Sequence, residues 1–125
     1  MTAQEKGVTI GRNRKPIFYD KPEVRAAKTW YLYNLYQHKP EEPIEGAVYL
    51  KTEWTFLTHQ KKMDGRWKTT KPDTENLLKM FKDCMTKTGF WIDDAQVVYE
   101  VTVKKWGKRP GIEVSVLPLS EEVNE

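Results

Sequence analysis

The sequence has a single cysteine, Cys84, and only two histidines, His38 and His59. One thiol makes no intrachain disulfide and no structural zinc site, so a reducing, cytoplasmic setting is expected. Neither histidine has a metal-ligand partner at suitable spacing, and both read as ordinary surface or loop residues. No Ser/His/Asp set can be assembled, and the two glycines of GVTIG do not make a phosphate-cradling loop. No stretch approaches the roughly 20 apolar residues of a membrane span. The start, MTAQEKGVTIGRNRK, lacks the apolar segment of a secretory signal, so no membrane partner is expected. Internal repeats and low-complexity blocks are also missing.

Aromatics are plentiful. Five Trp and six Tyr among 125 residues, with 38% apolar residues, point to one packed domain rather than a disordered chain. The net charge of +3 is unevenly spread: residues 1–72 carry 14 Lys/Arg against 8 Asp/Glu, residues 73–125 carry 7 against 10. A basic front half is what a polyanion partner such as nucleic acid requires, and it is also what an ordinary solvated surface shows. Residues 1–15 are expected to form a flexible basic segment, 16–118 the domain, and 119–125 an acidic tail.

Within the domain, residues 16–19 read as a short strand and Asp20 as an N-cap. A helix follows over 22–37, ended by Pro40. Residues 47–59 alternate as a strand, with Val48, Leu50, Thr52, Trp54 and Phe56 on one face. The loop HQKKMDGRWKTTKP carries five basic residues and Trp67. Asp73 is the next N-cap, opening a helix over 74–86. Its apolar face is Leu77, Leu78, Phe81, Cys84 and Met85, and Gly89 is expected in its C-cap region. Residues 96–106 form a strand with Val97, Tyr99, Val101 and Val103 facing one way. GKRPG would turn it back into a strand of Ile112, Val114 and Val116 as a β-hairpin. Cys84 belongs to the core, and Trp30, Tyr31, Tyr33 and Tyr36 to the core or a subunit interface.

Two stretches carry chemistry. In KPDTENLLKMFKD, Pro72 sets the helix start, and Glu75, Lys79 and Asp83 recur on one face with Asn76 beside them. Taken alone, this is also what a plain helix start looks like. Acids there complement the dipole, and Glu75 to Lys79 is a favourable surface pair. The second stretch, GFWIDDAQV, sets Asp93 beside Asp94 between an aromatic pair and an apolar strand. Adjacent carboxylates repel, more so when buried, unless both face water or a cation lies between them. The link at Gly89 returns the chain beside the helix, so three or four carboxylates from 73, 75, 93 and 94 are expected to converge. Such hard oxygen ligands suit Mg²⁺ or Mn²⁺. With Lys79 and Lys104 nearby and a basic surround, the set is suited to hydrolysing a phosphodiester. Trp67, among Lys61, Lys62, Arg66, Lys68 and Lys71, either stacks on a base or anchors its loop.

These two motifs, in this order, resemble the RusA family of Holliday junction resolvases, metal-dependent endonucleases of bacteria, phages and prophages. The family pattern reads roughly Asp-x-Asp-Asn-Leu-x-Lys, a helix containing Asp, Gly-aromatic-x-x-Asp-Asp-x-Gln-Val, and a strand with Lys. Asp73, Glu75, Asn76, Leu77, Lys79, Asp83, Gly89, Asp93, Asp94, Gln96, Val97 and Lys104 match it. The likeness is close over 71–106 and weaker in the hairpin beyond. It implies an α/β (α+β) single domain with a mixed β-sheet and two main helices, working as a homodimer on four-way DNA junctions with Mg²⁺ (Mn²⁺ substituting). Asp73, Glu75 and Asp94 would be the acidic metal positions, with Asp93 assisting and Lys79 as the catalytic lysine. Lys71, Lys104, Lys68, Trp67, Arg12 and Arg14 are the expected DNA contacts. Glu75 stands where the family usually has Asp, one methylene shorter. The family usually opens with a strand and a basic loop, of which GVTIGRNRKPIFY reads as a shortened version. Two other readings stay open: a non-catalytic branched-DNA binder, and a nuclease for flaps or forks.

Overall fold

The computed structural model describes residues 21–120. The expected strand at 16–19, the Asp20 cap, Arg12, Arg14 and all of the acidic tail beyond Ser120 lie outside the described residues. Within them are two helices, α1 (Lys21–His38) and α2 (Thr74–Thr88), and three strands, β1 (Val48–Leu57), β2 (Val97–Gly107) and β3 (Gly111–Pro118). This is an α+β domain with a mixed sheet, as expected.

The alternation of β1 decides the architecture. Val48, Leu50, Thr52, Trp54 and Phe56 are all buried, and the residues between them are half-exposed. Thr52 is tolerated in the core because its hydroxyl accepts a hydrogen bond from Trp54 Nε1 at 2.9 Å. Both helices pack on this face. Tyr31 of α1, Trp54 of β1 and Phe81 of α2 meet edge-to-face, with ring centroids 5.2 to 6.3 Å apart. In α1 the inward residues are Ala27, Trp30, Tyr31, Asn34 and Leu35, a helical repeat, whereas Tyr33 and Tyr36 point out. The expected aromatic group is therefore split between core and surface. In α2 the five expected apolar residues are the buried ones, Asp73 is the N-cap, and Gly89 closes the helix at φ 99°. That left-handed turn suits glycine, which has no Cβ to clash.

The expected β-hairpin is not formed. The sheet order is β2-β1-β3, with β1 parallel to β2 and antiparallel to β3. Residues 108–110 cross the end of β1 instead of making a tight turn. Two strand spacings are about 9.5 Å, within reach of four Cα steps. The swap follows from the side chains. Leu50, Thr52 and Trp54 are flanked on one side by Val116, Val114 and Ile112, and on the other by Glu100, Thr102 and Lys104. The apolar β3 completes the core, and β2 brings its polar residues to the margin beside α2.

The alternation of β2 is also corrected. A register shift opposite Val48 and Tyr49 pairs them with Val97 and Tyr99, leaving Val98 over. Such an extra residue flips the strand that follows it. Val97 thus packs against the core, and Tyr99, Val101 and Val103 lie on the opposite face with Tyr49, Lys51 and Glu53. Near its far end β2 gains another neighbour, the stretch 66–68. There Trp106 N–H donates to Arg66 O at 2.9 Å and Lys68 N–H to Lys104 O at 3.1 Å.

Candidate active site

A cleft of about 590 Å³ opens between the polar face of α2 and the start of β2. Glu75, Asn76, Leu78, Lys79 and Lys82 line it from α2, Asp94 from a short 3-10 turn over Asp94–Gln96, and Glu100 from β2. Glu75, Lys79 and Lys82 stand at i, i+4 and i+7, so the helical period itself puts them on one side while Leu77 and Phe81 hold the other. Three of the expected residues, Glu75, Lys79 and Asp94, are thereby brought together. Two residues not singled out for the site join them. Lys82 and Glu100 form an ion pair across the cleft, and Lys82 was legible as the next helical position after Lys79. Asp83, expected on this face, instead pairs with Lys87 at 3.3 Å on the exposed side.

The other two acids behave differently. Asp73 Oδ1 accepts from the Asn76 N–H at 2.8 Å, and Asp93 Oδ1 accepts from the Ala95 N–H at 2.9 Å. Each is a helix cap. Neither lines the cleft. Among the described residues no three His, Cys, Asp or Glu side chains are grouped to hold a metal ion. Of the four carboxylates expected to converge, Glu75 and Asp94 line the cleft, while Asp73 and Asp93 each commit one oxygen to a backbone amide. The neighbouring charges of Asp93 and Asp94 are accommodated because both residues are exposed to water.

The endodeoxyribonuclease RusA family matches residues 2–117 of this chain. The chain belongs to the RusA family. A crossover junction endodeoxyribonuclease of Lactococcus phage r1t is 35% identical over 118 residues, which is 92% of this chain and 87% of that protein. Proteins of the same name from Escherichia coli K12 and Enterobacteria phage 82 are 41% identical over 51 residues, covering 40% of this chain and 42% of each relative. The family match therefore reaches well beyond the 71–106 stretch that carries the closest motif likeness.

In this RusA-family chain side-chain hydrogen bonds hold both acidic turns in place. Gln96 uses every hydrogen-bonding site of its amide. Its Nε2 donates to Ile44 O and Gly46 O, both at 2.9 Å, and its Oε1 accepts from Ile92 N–H at 3.0 Å and Asp93 N–H at 3.1 Å. The turn bearing Asp94 is thus tied to the chain entering β1. At the other turn, Lys104 Nζ donates to Thr70 O and Pro72 O, and Lys68 Nζ to Thr70 Oγ1 and Lys71 O. Lys68 was expected at the DNA surface, but it is 8% exposed, with its ammonium 4.4 Å from the Trp106 ring centroid and 5.0 Å from that of Phe56. Burial and the charge of Lys104 push its pKa down to about 8. Burial also lowers the pKa of Lys104, against a raising influence from Asp73. Of the other expected DNA contacts, Lys71 is exposed and Trp67 is 71% exposed.

Proposed function

We propose that this chain is a metal-dependent endodeoxyribonuclease that resolves four-way DNA junctions by paired, symmetric phosphodiester hydrolysis, one nick per subunit of a homodimer. The observation that carries this reading is the meeting of Glu75, Lys79 and Asp94, remote in sequence, in one polar cleft. Membership of the RusA family supports it, as does the name its relatives carry, crossover junction endodeoxyribonuclease.

The donor chemistry fits Mg²⁺ or Mn²⁺. Mg²⁺ takes one or two carboxylates and completes its shell with water and substrate phosphate. Glu75 and Asp94 offer two such carboxylates, and the Asp73 oxygen not used in capping is the third candidate that the resemblance implies. When bound, the ion would supply Lewis-acid stabilisation of charge on the phosphate oxygens and a more acidic water. The chain does the rest. Lys79, one turn beyond Glu75, sets a positive charge against the scissile phosphate. Lys82 has its charge balanced by Glu100 and adds little net attraction while that pair holds. The exposed Lys71 meets the phosphate backbone, and Trp67 offers a face for base stacking. Among the described residues no helix is long and apolar enough to cross a membrane. Relatives in bacteria and phages fit a bacterial cytoplasm and a prophage origin.

Cleavage of a labelled synthetic four-way junction, with Mg²⁺ or with EDTA, tests the reading. Paired nicks that require both the ion and Asp94, and that vanish in Asp94→Asn, are expected. Binding without nicks in Mg²⁺ and Mn²⁺ would make the chain a junction binder. Faster cutting of flaps or forks would move it to another branched substrate.

A further inference from the structure

Two ammonium groups satisfy three successive pieces of backbone just ahead of the first acidic turn. Lys104 donates to Thr70 O and Pro72 O, both at 2.6 Å. Lys68 donates to Lys71 O at 2.7 Å and to the Thr70 hydroxyl at 2.6 Å. The carbonyls of residues 70, 71 and 72 are therefore all held by lysines that come from different places, one from the loop after β1 and one from β2. The next residue is Asp73, whose carboxylate caps α2 and whose carbonyl accepts from Leu77 N–H at 3.1 Å.

This arrangement is a costly way to finish a loop. Thr70 and Lys71 are exposed, and carbonyls there can be satisfied by water without help, whereas Pro72 is buried and its carbonyl needs a partner. Lys68 gives up most of its hydration, and its charge stands close enough to Lys104 for the two to repel. Apolar side chains would fill the space over Trp106 and Phe56 without either penalty. What the two lysines add is direction. Each bond fixes a carbonyl, and three fixed carbonyls in a row fix the path by which the backbone enters α2. That path sets where Asp73 and, two residues on, Glu75 stand.

We propose that Lys68 and Lys104 are positioning residues, a paired ammonium clamp on residues 70–72 that sets the Asp73 cap and thereby holds Glu75 at the cleft, rather than a pair of contacts to DNA. Its catalytic consequence rests on the nuclease reading above. The clamp itself does not.

Lys104→Met and Lys104→Arg, compared with the parent chain, test it by three readouts. In Lys104→Met, hydrogen exchange at the Asn76 and Leu77 amides should speed up by about tenfold while amides near Phe81 keep their protection. Single-turnover junction cleavage at saturating protein should fall about 100-fold, the cost of misplacing a group by an ångström. Junction affinity in EDTA should keep its salt slope, whereas loss of a phosphate contact lowers that slope by about one. Lys104→Arg, which can still donate to two carbonyls, should restore most of the protection and the rate. Unchanged exchange at Asn76, or a lowered salt slope with cleavage intact at saturation, would overturn the clamp. If Lys104→Met does not fold, Lys104→Gln takes its place, keeping one donor group and losing the charge. A parent chain that cuts no junction sinks the nuclease reading alone, and exchange at Asn76 still decides the clamp.

Discussion

Asp73 and Asp93 each cap a helical segment, and each is followed within two residues by a carboxylate that faces the cleft, Glu75 and Asp94 respectively. The two acidic turns share this division between one acid that holds backbone and one that meets solvent. They differ in what fixes them. The turn at 73 is held by ammonium groups of Lys68 and Lys104, and the turn at 93 by the neutral amide of Gln96. One acid of each pair commits an oxygen to building the turn that presents the other.

The sharpest way to break that comparison is to neutralise the acids one at a time. Glu75→Gln and Asp94→Asn should each slow junction cleavage on the order of 10³-fold, since each removes charge from the reacting site. Asp93→Asn keeps an oxygen for the Ala95 amide and should stay within about fivefold of the parent. Single-turnover rates at saturating protein read the difference directly. If Asp93→Asn fell as far as Asp94→Asn, the division between capping and cleft acids would be wrong at that turn.

How far this division was legible in the sequence depends on which force set each residue. Periodicity carried β1 and α2, because burial acts on every residue of an alternating or helical pattern. The Asp73 cap and the Gly89 stop were also legible, being local backbone chemistry. The β-hairpin was not, because strand order depends on which neighbour completes the core of β1, a non-local choice. The flip of β2 turned on one surplus residue at Val98, which no pattern of alternation marks. The fates of Lys68 and Lys104 were hidden for a related reason. Lysine in a basic loop reads as surface, and only the fold shows that Trp106 and Phe56 cover Lys68 while three carbonyls await the two ammonium groups.

A charged clamp and a neutral one should also respond differently to pH. Lys68 titrates near 8 in the folded chain, against its ordinary value of 10.5. Between those values the unfolded chain binds more protons than the folded one, so stability rises with pH. Below about 8 the lysine is charged in both states, and the cost of burying that charge is felt in full. The stability of the parent relative to Lys68→Met should therefore climb from pH 8 to pH 10, by on the order of 1–2 kcal/mol. Gln96 does not titrate. Gln96→Ala should cost about 2 kcal/mol, because it leaves backbone groups of residues 44, 46, 92 and 93 without their partner, and that cost should be the same at both pH values. Denaturant melts of the three proteins at pH 8 and pH 10 check both statements. A flat difference for Lys68→Met would mean that its ammonium is better solvated than its burial implies.

The smallest expected effect concerns the caps themselves. Asp73→Ala removes an acceptor at the head of a 15-residue helix whose apolar face lies in the core. The lost cap and the lost charge at the helix N-terminus should together lower global stability by about 1 kcal/mol. Asp93 caps only a three-residue turn on the surface. Asp93→Ala breaks a bond of the same kind, but the core does not depend on that turn, so global unfolding should shift by only a few tenths of a kcal/mol, about the usual limit for surface changes. The loss should appear locally, as faster hydrogen exchange at Ala95 and Gln96. Equal global losses in the two variants would show that the turn bearing Asp94 unfolds together with the core, and that Gln96 joins it to β1 firmly enough to erase the difference between the two acidic turns.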